Sequence, residues 1–352
     1  MGSFQTFGLH FDGATKLIEN FAAGALVQDS SARGLLEPLV EARMQIWWRR
    51  VYFGTPEFHR HRPKVALDPL IKSIAVFETR RTAILLILCE SHRINNSAII
   101  AHWDRNYVAD AGELRTSAAD GYSRQSFGSF DQHISLEKGR LEAWCQKYPF
   151  SGMMEDEEVP TDKTGQSLQL RPLHMGSHTE AMNMVYYVAS RVLQSSGPLN
   201  SLFLETSEDI RMQYSEAEAW IHFLLRVLAD MEWKDCVRYN MYTVGITGVL
   251  LACLLRSHSP WIGQWCETWL QGCLDGSSFE EGSFPTFQTL KIIRLVNEER
   301  KEGRDVFGLF QTVEDGGGSG KFGSYQSQAL SSLLLYSRCR KTGRLLSYCI
   351  TI

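Results

Sequence analysis

Three acidic clusters are the residues of this sequence best suited to metal chemistry. Carboxylates hold Mg²⁺ against a diphosphate in helical enzymes that act on prenyl diphosphates, and Lys291 or Arg294 would then meet the diphosphate. The clusters are Glu155-Asp156-Glu157-Glu158, Glu208-Asp209, and Asp230 with Glu232 and Asp235. The first lies in a segment without helical pattern, and the third is suited to capping a helix junction. One hypothesis for the function is therefore a non-standard all-α, magnesium-dependent terpene cyclase or another helical biosynthetic enzyme.

A glycine-rich run that ends in Lys321 has the composition of a phosphate-binding loop. That motif needs a glycine six positions before the lysine and a serine or threonine directly after it. Asp315 and Phe322 occupy those two positions. The run therefore predicts a flexible linker.

Two pairs of histidines have spacings that occur in metal sites. His59 and His61 stand in a basic run without further ligands nearby, which favours a solvated basic patch. His174 and His178 are four apart, but the intervening Gly176 argues against a shared helical face. No hydrolase motif is present either. The sequence thus assigns no catalytic, cofactor-binding or metal-binding residue, and it predicts no enzyme and no cofactor.

The eight cysteines contain no Cys-x-x-Cys pair, which argues against a zinc knuckle or a redox pair. Cys89 and Cys253 lie in apolar runs and are expected to be small buried hydrophobes. The first residues lack a signal-peptide pattern, and the longest apolar stretch, 241–255, is too short to cross a membrane. We expect an intracellular protein without a membrane partner.

The charge balance restricts the partners further. The 352 residues include 36 Lys+Arg and 40 Asp+Glu, a formal net charge of −4. A protein that grips DNA by itself needs a broad basic surface to neutralise phosphates. Autonomous DNA binding is therefore not expected. The basic segments at Arg49-Arg50 and 59–64 would suit nuclear import or an acidic partner, but a solvated face is favoured for them.

Helical periodicity and capping residues predict an all-α protein of about eight to ten helices. Asp68 would cap a helix that stops near Asn95, and Ser215 with Glu218 would form a capping box. Further helices are expected at 37–53, 135–148, 177–193, 234–256 and 285–304, and Ser259-Pro260 predicts the start of another. Loops are expected at 125–131 and, long and acidic, at 149–173.

These elements suggest three regions of the chain. An N-terminal extension covers residues 1–34, a large helical domain covers 35–305, and a low-complexity tail covers 306–352. Because a glycine-rich run costs much entropy to order, the tail is expected to be flexible.

Several short motifs in this order resemble the fungal-specific transcription factor domain, the helical regulatory region behind the zinc cluster of Zn2Cys6 regulators. The motifs are Phe77-Glu78-x-Arg80-Arg81-x-Ala83 with Arg93, His102-Trp103-Asp104, Leu136, Leu141 and Trp144, His178 to Leu193 with Tyr186-Tyr187, Tyr242-x-x-Gly245, Trp265 and Trp269, and Leu290-x-Ile292-Ile293. The resemblance covers roughly residues 35 to 305.

The sequence departs from that family in two places. No cysteine precedes Cys89, so the six-cysteine zinc cluster is missing, and Arg105 follows the tryptophan turn where the family often continues to Pro-Trp. The resemblance implies a regulator of a fungal secondary-metabolite gene cluster, similar to the trichothecene-cluster regulators that also lack the zinc cluster. It further implies a nuclear protein, with the cytoplasm as the alternative, which acts through DNA-binding or co-regulatory proteins. Self-association is left open.

Overall fold

The computed structural model describes residues 11, 13–17, 30–60, 64–68, 71, 79–106, 120–150, 170–203, 207–276, 281, 286–312 and 331–352. Helices dominate these residues: α1 (Ser30–Phe53), α2 (Pro56–Arg60), α3 (Arg80–Asn106), α4 (Asp120–Lys147), α5 (His178–Gln194), α6 (Ser196–Asn200), α7 (Ser207–Asp230), α8 (Trp233–Tyr239), α9 (Ile246–Leu254), α10 (Pro260–Gly276) and α11 (Thr286–Lys301). Short 3-10 helices lie at Val65–Leu67 and Ser201–Phe203. Three strands follow: β1 (Arg304–Gln311), β2 (Ser332–Cys339) and β3 (Leu345–Thr351). The expectation of a mainly helical protein is confirmed.

Helix α5 is the centre of the helical part. It packs against α3, α4, α7 and α9, and nearly all its residues after the first turn are buried. Ser177 caps it by accepting a hydrogen bond from the backbone N–H of Glu180 at 3.2 Å. The helix is buried on every side because apolar or small residues occupy most of its positions.

Helix α9 is the most apolar of the described helices, and every one of its residues is buried. It spans only Ile246–Leu254, so its hydrophobicity serves the core of the protein. Among the described residues, no helix is both long enough and apolar enough to cross a membrane.

The three strands correct the prediction of an all-α chain with a flexible tail. They form an antiparallel sheet in the order β1-β2-β3. One face of the sheet packs on the main core through Leu309, Leu333 and Leu335. The other face packs through Phe310 and Tyr336 on a second core with the C-terminal part of α3. The glycine-rich run at 316–323 lies outside the described residues.

Burial on both faces explains why the sheet was missed. A strand with one solvated face alternates apolar and polar residues, whereas a strand covered on both faces is continuously apolar. Leu333, Leu334 and Leu335 are such a run in β2. In β1, Phe307 is an extra residue, because the pairing shifts between Val306 and Gly308.

Of the two predicted helix boundaries at Asp68 and Asn95, the second is wrong. Asp68 accepts hydrogen bonds from Arg43 and Trp47 at 2.9 and 2.8 Å, and residues 69–70 and 72–78 are outside the described residues. Asn95 does not end α3, because its amide donates to the carbonyl of Ser91 inside the helix and to that of Leu193.

Three further predictions about helices and loops are corrected. Ser215 and Glu218 lie inside α7, where Glu218 instead accepts hydrogen bonds from the backbone N–H groups of His258 and Ser259 ahead of α10. The expected helix 234–256 is divided into α8 and α9. The expected loop at 125–131 is helical and belongs to α4.

The cysteines agree with their predicted role where it was specified. Cys89 and Cys253 are buried, and all eight cysteines are free. Burial raises the pKa of the Cys253 thiol above its ordinary value, so this side chain behaves as a small hydrophobe. Cys349 in β3 is exposed.

Candidate protein-docking surface

The turn between α8 and α9 exposes three large apolar side chains within four residues. Tyr239, Met241 and Tyr242 have 53%, 44% and 49% of their surface exposed. They are half of the large hydrophobic residues that are exposed in the part of the chain the structure describes. Clustered exposed apolar side chains mark interaction surfaces, and tyrosine and methionine are enriched there. We call residues 239–242 the 239–242 segment.

Asn240, in the middle of this segment, points inward and anchors it. Its side chain is 1% exposed. Its amide nitrogen donates to Glu281 Oε1 at 2.6 Å, and its amide oxygen lies 3.0 Å from His178 Nε2. The side chain therefore ties the segment to α5 and to the residues ahead of α11.

Glu281 is the fully buried acceptor to which this anchor is attached. Besides Asn240, its carboxylate accepts the backbone N–H groups of Ile246 and Thr247 at 2.7 and 2.9 Å. These two groups open α9, where a carboxylate is favoured by the helix dipole and satisfies N–H groups that have no partner within the helix. Burial raises the pKa of Glu281, and the three N–H donors oppose that shift.

Aromatic and charged side chains form a further layer beneath the segment. The hydroxyl of Tyr186 donates to the carbonyl of Val244 at 2.5 Å, and the guanidinium of Arg81 lies 5.2 Å from the Tyr186 ring centroid. Burial raises the pKa of Glu41 while Arg81 opposes the shift. Bonded, buried groups of this kind hold a turn in one conformation.

Gly245 lies directly ahead of α9 and is the N-cap residue of that helix. The carboxylate of Glu281 lies in the space that a side chain on residue 245 would occupy. A Cβ atom on Gly245 would lie 2.7 Å from Glu281 Cδ and 2.8 Å from Oε2.

We expect Gly245→Ala to lower the free energy of unfolding by about 1–3 kcal/mol, because the buried carboxylate must move away from its donors. Gly272→Ala is the matched control, since a Cβ there would meet nothing within 4 Å. In the helix α10 that change should stabilise by up to about 1 kcal/mol. Urea unfolding of both variants measures the difference, and equal stabilities would contradict this role of Gly245.

The acidic residues proposed for metal binding lie apart where the structure describes them. Asp230 Oδ2 is 2.9 Å from His174 Nδ1 at the surface, and Glu232 pairs with Lys234. Within the described residues no group of three metal-ligating side chains converges. The cluster at 155–158 and the side chains of Glu208 and Asp209 lie outside them.

The cations proposed to meet a diphosphate also have other contacts. Lys291 is exposed, and its ammonium lies 6.0 Å from the Phe287 ring centroid. Arg294 donates to Glu267 at 3.0 Å and to Gln271 at 2.7 Å. Both lie on α11.

The histidine predictions have different outcomes. His59 is buried at 3% exposure against the ring of Phe310, so the solvated basic patch is wrong at this position. His61 lies outside the described residues. His174 precedes α5 and His178 begins it, so the pair does not share a helical face, as predicted.

Two open depressions lie between α3 and α4. One of about 220 Å³ is lined by Ile87, Trp144 and Tyr148 among others. A second of about 110 Å³ is lined by Glu90 and Glu137 among others. The carboxylate of Glu137 is engaged by Arg140 at 3.0 Å.

The 239–242 segment was missed by sequence reasoning because its residues appeared to continue a helix. The only signal available was Asn240 followed five residues later by Gly245, a pair that is common where one helix ends and another begins. Glu281 carries no local signal, since its role depends on contacts with residues 34 to 41 positions earlier.

Comparison of the chain with models of known protein families, with curated protein sequences and with solved structures finds no match.

Proposed function

We propose that this protein is a non-enzymatic transcriptional regulator of a fungal secondary-metabolite gene cluster. It acts in the nucleus through protein partners, and the 239–242 segment is its docking surface. The partner presents an apolar patch and is a DNA-binding or co-regulatory protein. The DNA contacts belong to that partner.

The observation that carries the proposal is the combination of exposure and anchoring in the 239–242 segment. Tyr239, Met241 and Tyr242 offer apolar surface to a partner, while the buried Asn240 holds them in place. A surface ordered before binding loses little conformational entropy when the partner arrives. Aromatic side chains at such positions supply much of the binding energy of protein interfaces.

Two features of the sequence agree with this function. The motif order between residues 35 and 305 resembles the fungal-specific transcription factor domain, and Tyr242 and Gly245 belong to one of its motifs. The net charge of −4 favours a regulator that borrows its contact with DNA.

Deletion of the gene, followed by transcript measurement across its genomic neighbours, tests the function. We expect coordinate loss of the neighbouring transcripts, and recovery when the wild-type gene is restored. Unchanged neighbouring transcripts, accompanied by loss of one terpenoid intermediate, would contradict the proposal and favour the magnesium-dependent cyclase.

A further inference from the structure

Within the part of the chain that the structure describes, strand β3 pairs with β2 on one side and has an open edge on the other. The backbone N–H of Ile352 donates to the carbonyl of Ser331, and the carbonyl of Arg344 accepts from the backbone N–H of Cys339. The backbone N–H and C=O groups of the even-numbered residues of β3 therefore face β2. The N–H and C=O groups of Leu345, Ser347, Cys349 and Thr351 therefore point away from the sheet, where the described residues provide no further strand.

The opposite edge of the sheet is covered. Arg256, 1% exposed, donates to the carbonyl of Phe307 in β1 at 3.1 Å, and α11 packs against that strand. Proteins usually protect an exposed edge with a lysine, a proline or a bulge. Residues 345–352 contain no charged residue and no proline, and the pairing of β3 with β2 has no bulge.

We propose that β3 pairs with β3 of a second copy of this chain, antiparallel and about a two-fold axis at Tyr348. In that register Leu345 lies opposite the second copy's residue 351, and Ser347 lies opposite its residue 349. Every outward N–H and C=O group then meets an outward group of the other chain. The two sheets become one sheet of six strands.

The side chains and charges of β3 suit pairing with itself. Tyr348 lies opposite Tyr348 of the second copy, which is an aromatic pair. Leu346 lies opposite the second copy's residue 350, an isoleucine, which is an apolar pair. Cross-strand pairs of both kinds stabilise antiparallel strands. No charged side chains face each other across the axis. The basic turn at 340–344 lies at one end of the strand, so the two turns are separated by roughly the length of seven residues, about 23 Å, which exceeds the screening length in physiological salt.

Disulfide trapping tests the register directly. Opposite residues in a hydrogen-bonded antiparallel pair have Cα atoms about 5.5 Å apart, which suits a disulfide. The Ser347→Cys variant should therefore cross-link through Cys349 of the second copy under mild oxidation. Ser347→Cys combined with Cys349→Ser should not, and neither should Leu345→Cys, which has no cysteine opposite.

Sedimentation of the full chain tests the association itself. We expect a species of twice the 40.0 kDa mass that Cys349→Lys shifts to the monomer, because residue 349 is exposed and a lysine protects an edge. The melting temperature of this variant, measured below the concentration of association, should equal that of the wild type. A wild type that stays monomeric at all concentrations, or a dimer that neither cross-links in the Ser347→Cys variant nor responds to Cys349→Lys, would overturn the proposal. Recovery of β3 bound to a segment of another protein, with no dimer, would overturn it as well.

Discussion

Glu281→Ala is expected to lower the free energy of unfolding by about 3–5 kcal/mol. The change leaves three buried donors without their acceptor, namely the amide of Asn240 and the backbone N–H groups of Ile246 and Thr247. Each buried donor that loses its partner costs about 1–3 kcal/mol. Urea unfolding at neutral pH measures the loss, and hydrogen exchange should become faster at the N–H groups of Ile246 and Thr247.

The control for this variant is Glu267→Ala, which removes a carboxylate at the surface instead of a buried one. Glu267 pairs with Arg294 at 3.0 Å, and both side chains are partly exposed, so Glu267→Ala should change stability by less than about 1 kcal/mol. If Glu281→Ala were no more destabilising than Glu267→Ala, the carboxylate would not be the anchor of the 239–242 segment.

The pH dependence of stability supplies a second measurement on Glu281. Burial raises its pKa in the folded protein above the ordinary value of 4.5. The folded state then holds the proton more tightly than the unfolded state, so this group's contribution to stability falls as the pH rises from about 4.5 through the folded pKa. The difference in stability between the wild type and Glu281→Gln should show this fall. If the wild type instead gained stability relative to Glu281→Gln over the same pH range, the raised pKa of Glu281 would be contradicted.

Asp305→Ala is the second change with a large expected effect, a loss of about 3–5 kcal/mol. Asp305 is 3% exposed, lies 2.8 Å from His258 Nδ1, and pairs with Arg340 at 2.7 Å. Burial alone would raise the pKa of Asp305. The hydrogen bonds from His258 and Arg340 outweigh this effect and hold the pKa below its ordinary value. Asp305 is also the carboxylate that opposes the effect of burial on Arg300, whose pKa is lowered to about 10.

Arg340→Ala, which removes the other member of the Asp305–Arg340 ion pair, is the matched control. The side chain of Arg340 is 41% exposed, so Arg340→Ala should cost less than about 1 kcal/mol. The two expected losses differ because Asp305 is buried among cations where the helices meet the sheet, whereas Arg340 is partly exposed to solvent. Thermal or urea unfolding of both variants measures it, and equal losses would show that Asp305 is not required at this joint.

The helical part of this fold could be predicted because its signals are local. Helix α5 begins at His178, one residue after the expected start at 177, and Ser259 with Pro260 opens α10 as expected. Where a polar residue bonds far along the chain, local reasoning failed. Glu218 appeared to belong to a capping box of its own helix, yet it serves residues 39 to 41 positions later.

The sheet and the candidate site could not be predicted for the same physical reason. Phe310 in β1 and Leu334 in β2 are register partners, and their burial depends on a second core that includes Trp103 of α3, far away in sequence. The 239–242 segment depends on Glu281, whose neighbours on either side, 277–280 and 282–285, lie outside the described residues. Tertiary contacts decide both features, and neither leaves a periodic pattern.

Restoring a gene-deletion strain with the combined variant Tyr239→Ala, Met241→Ala and Tyr242→Ala is the most direct test of the docking surface. The three side chains are about half exposed, so the variant should fold and accumulate like the wild type while its partner contact is lost. Leu136→Ala is the control, because Leu136 is a 58% exposed hydrophobic residue on α4. We expect the control to restore the transcripts of the neighbouring genes and the combined variant to leave them at the level of the deletion strain. Full restoration by the combined variant, at equal protein amount, would contradict a docking role for the 239–242 segment.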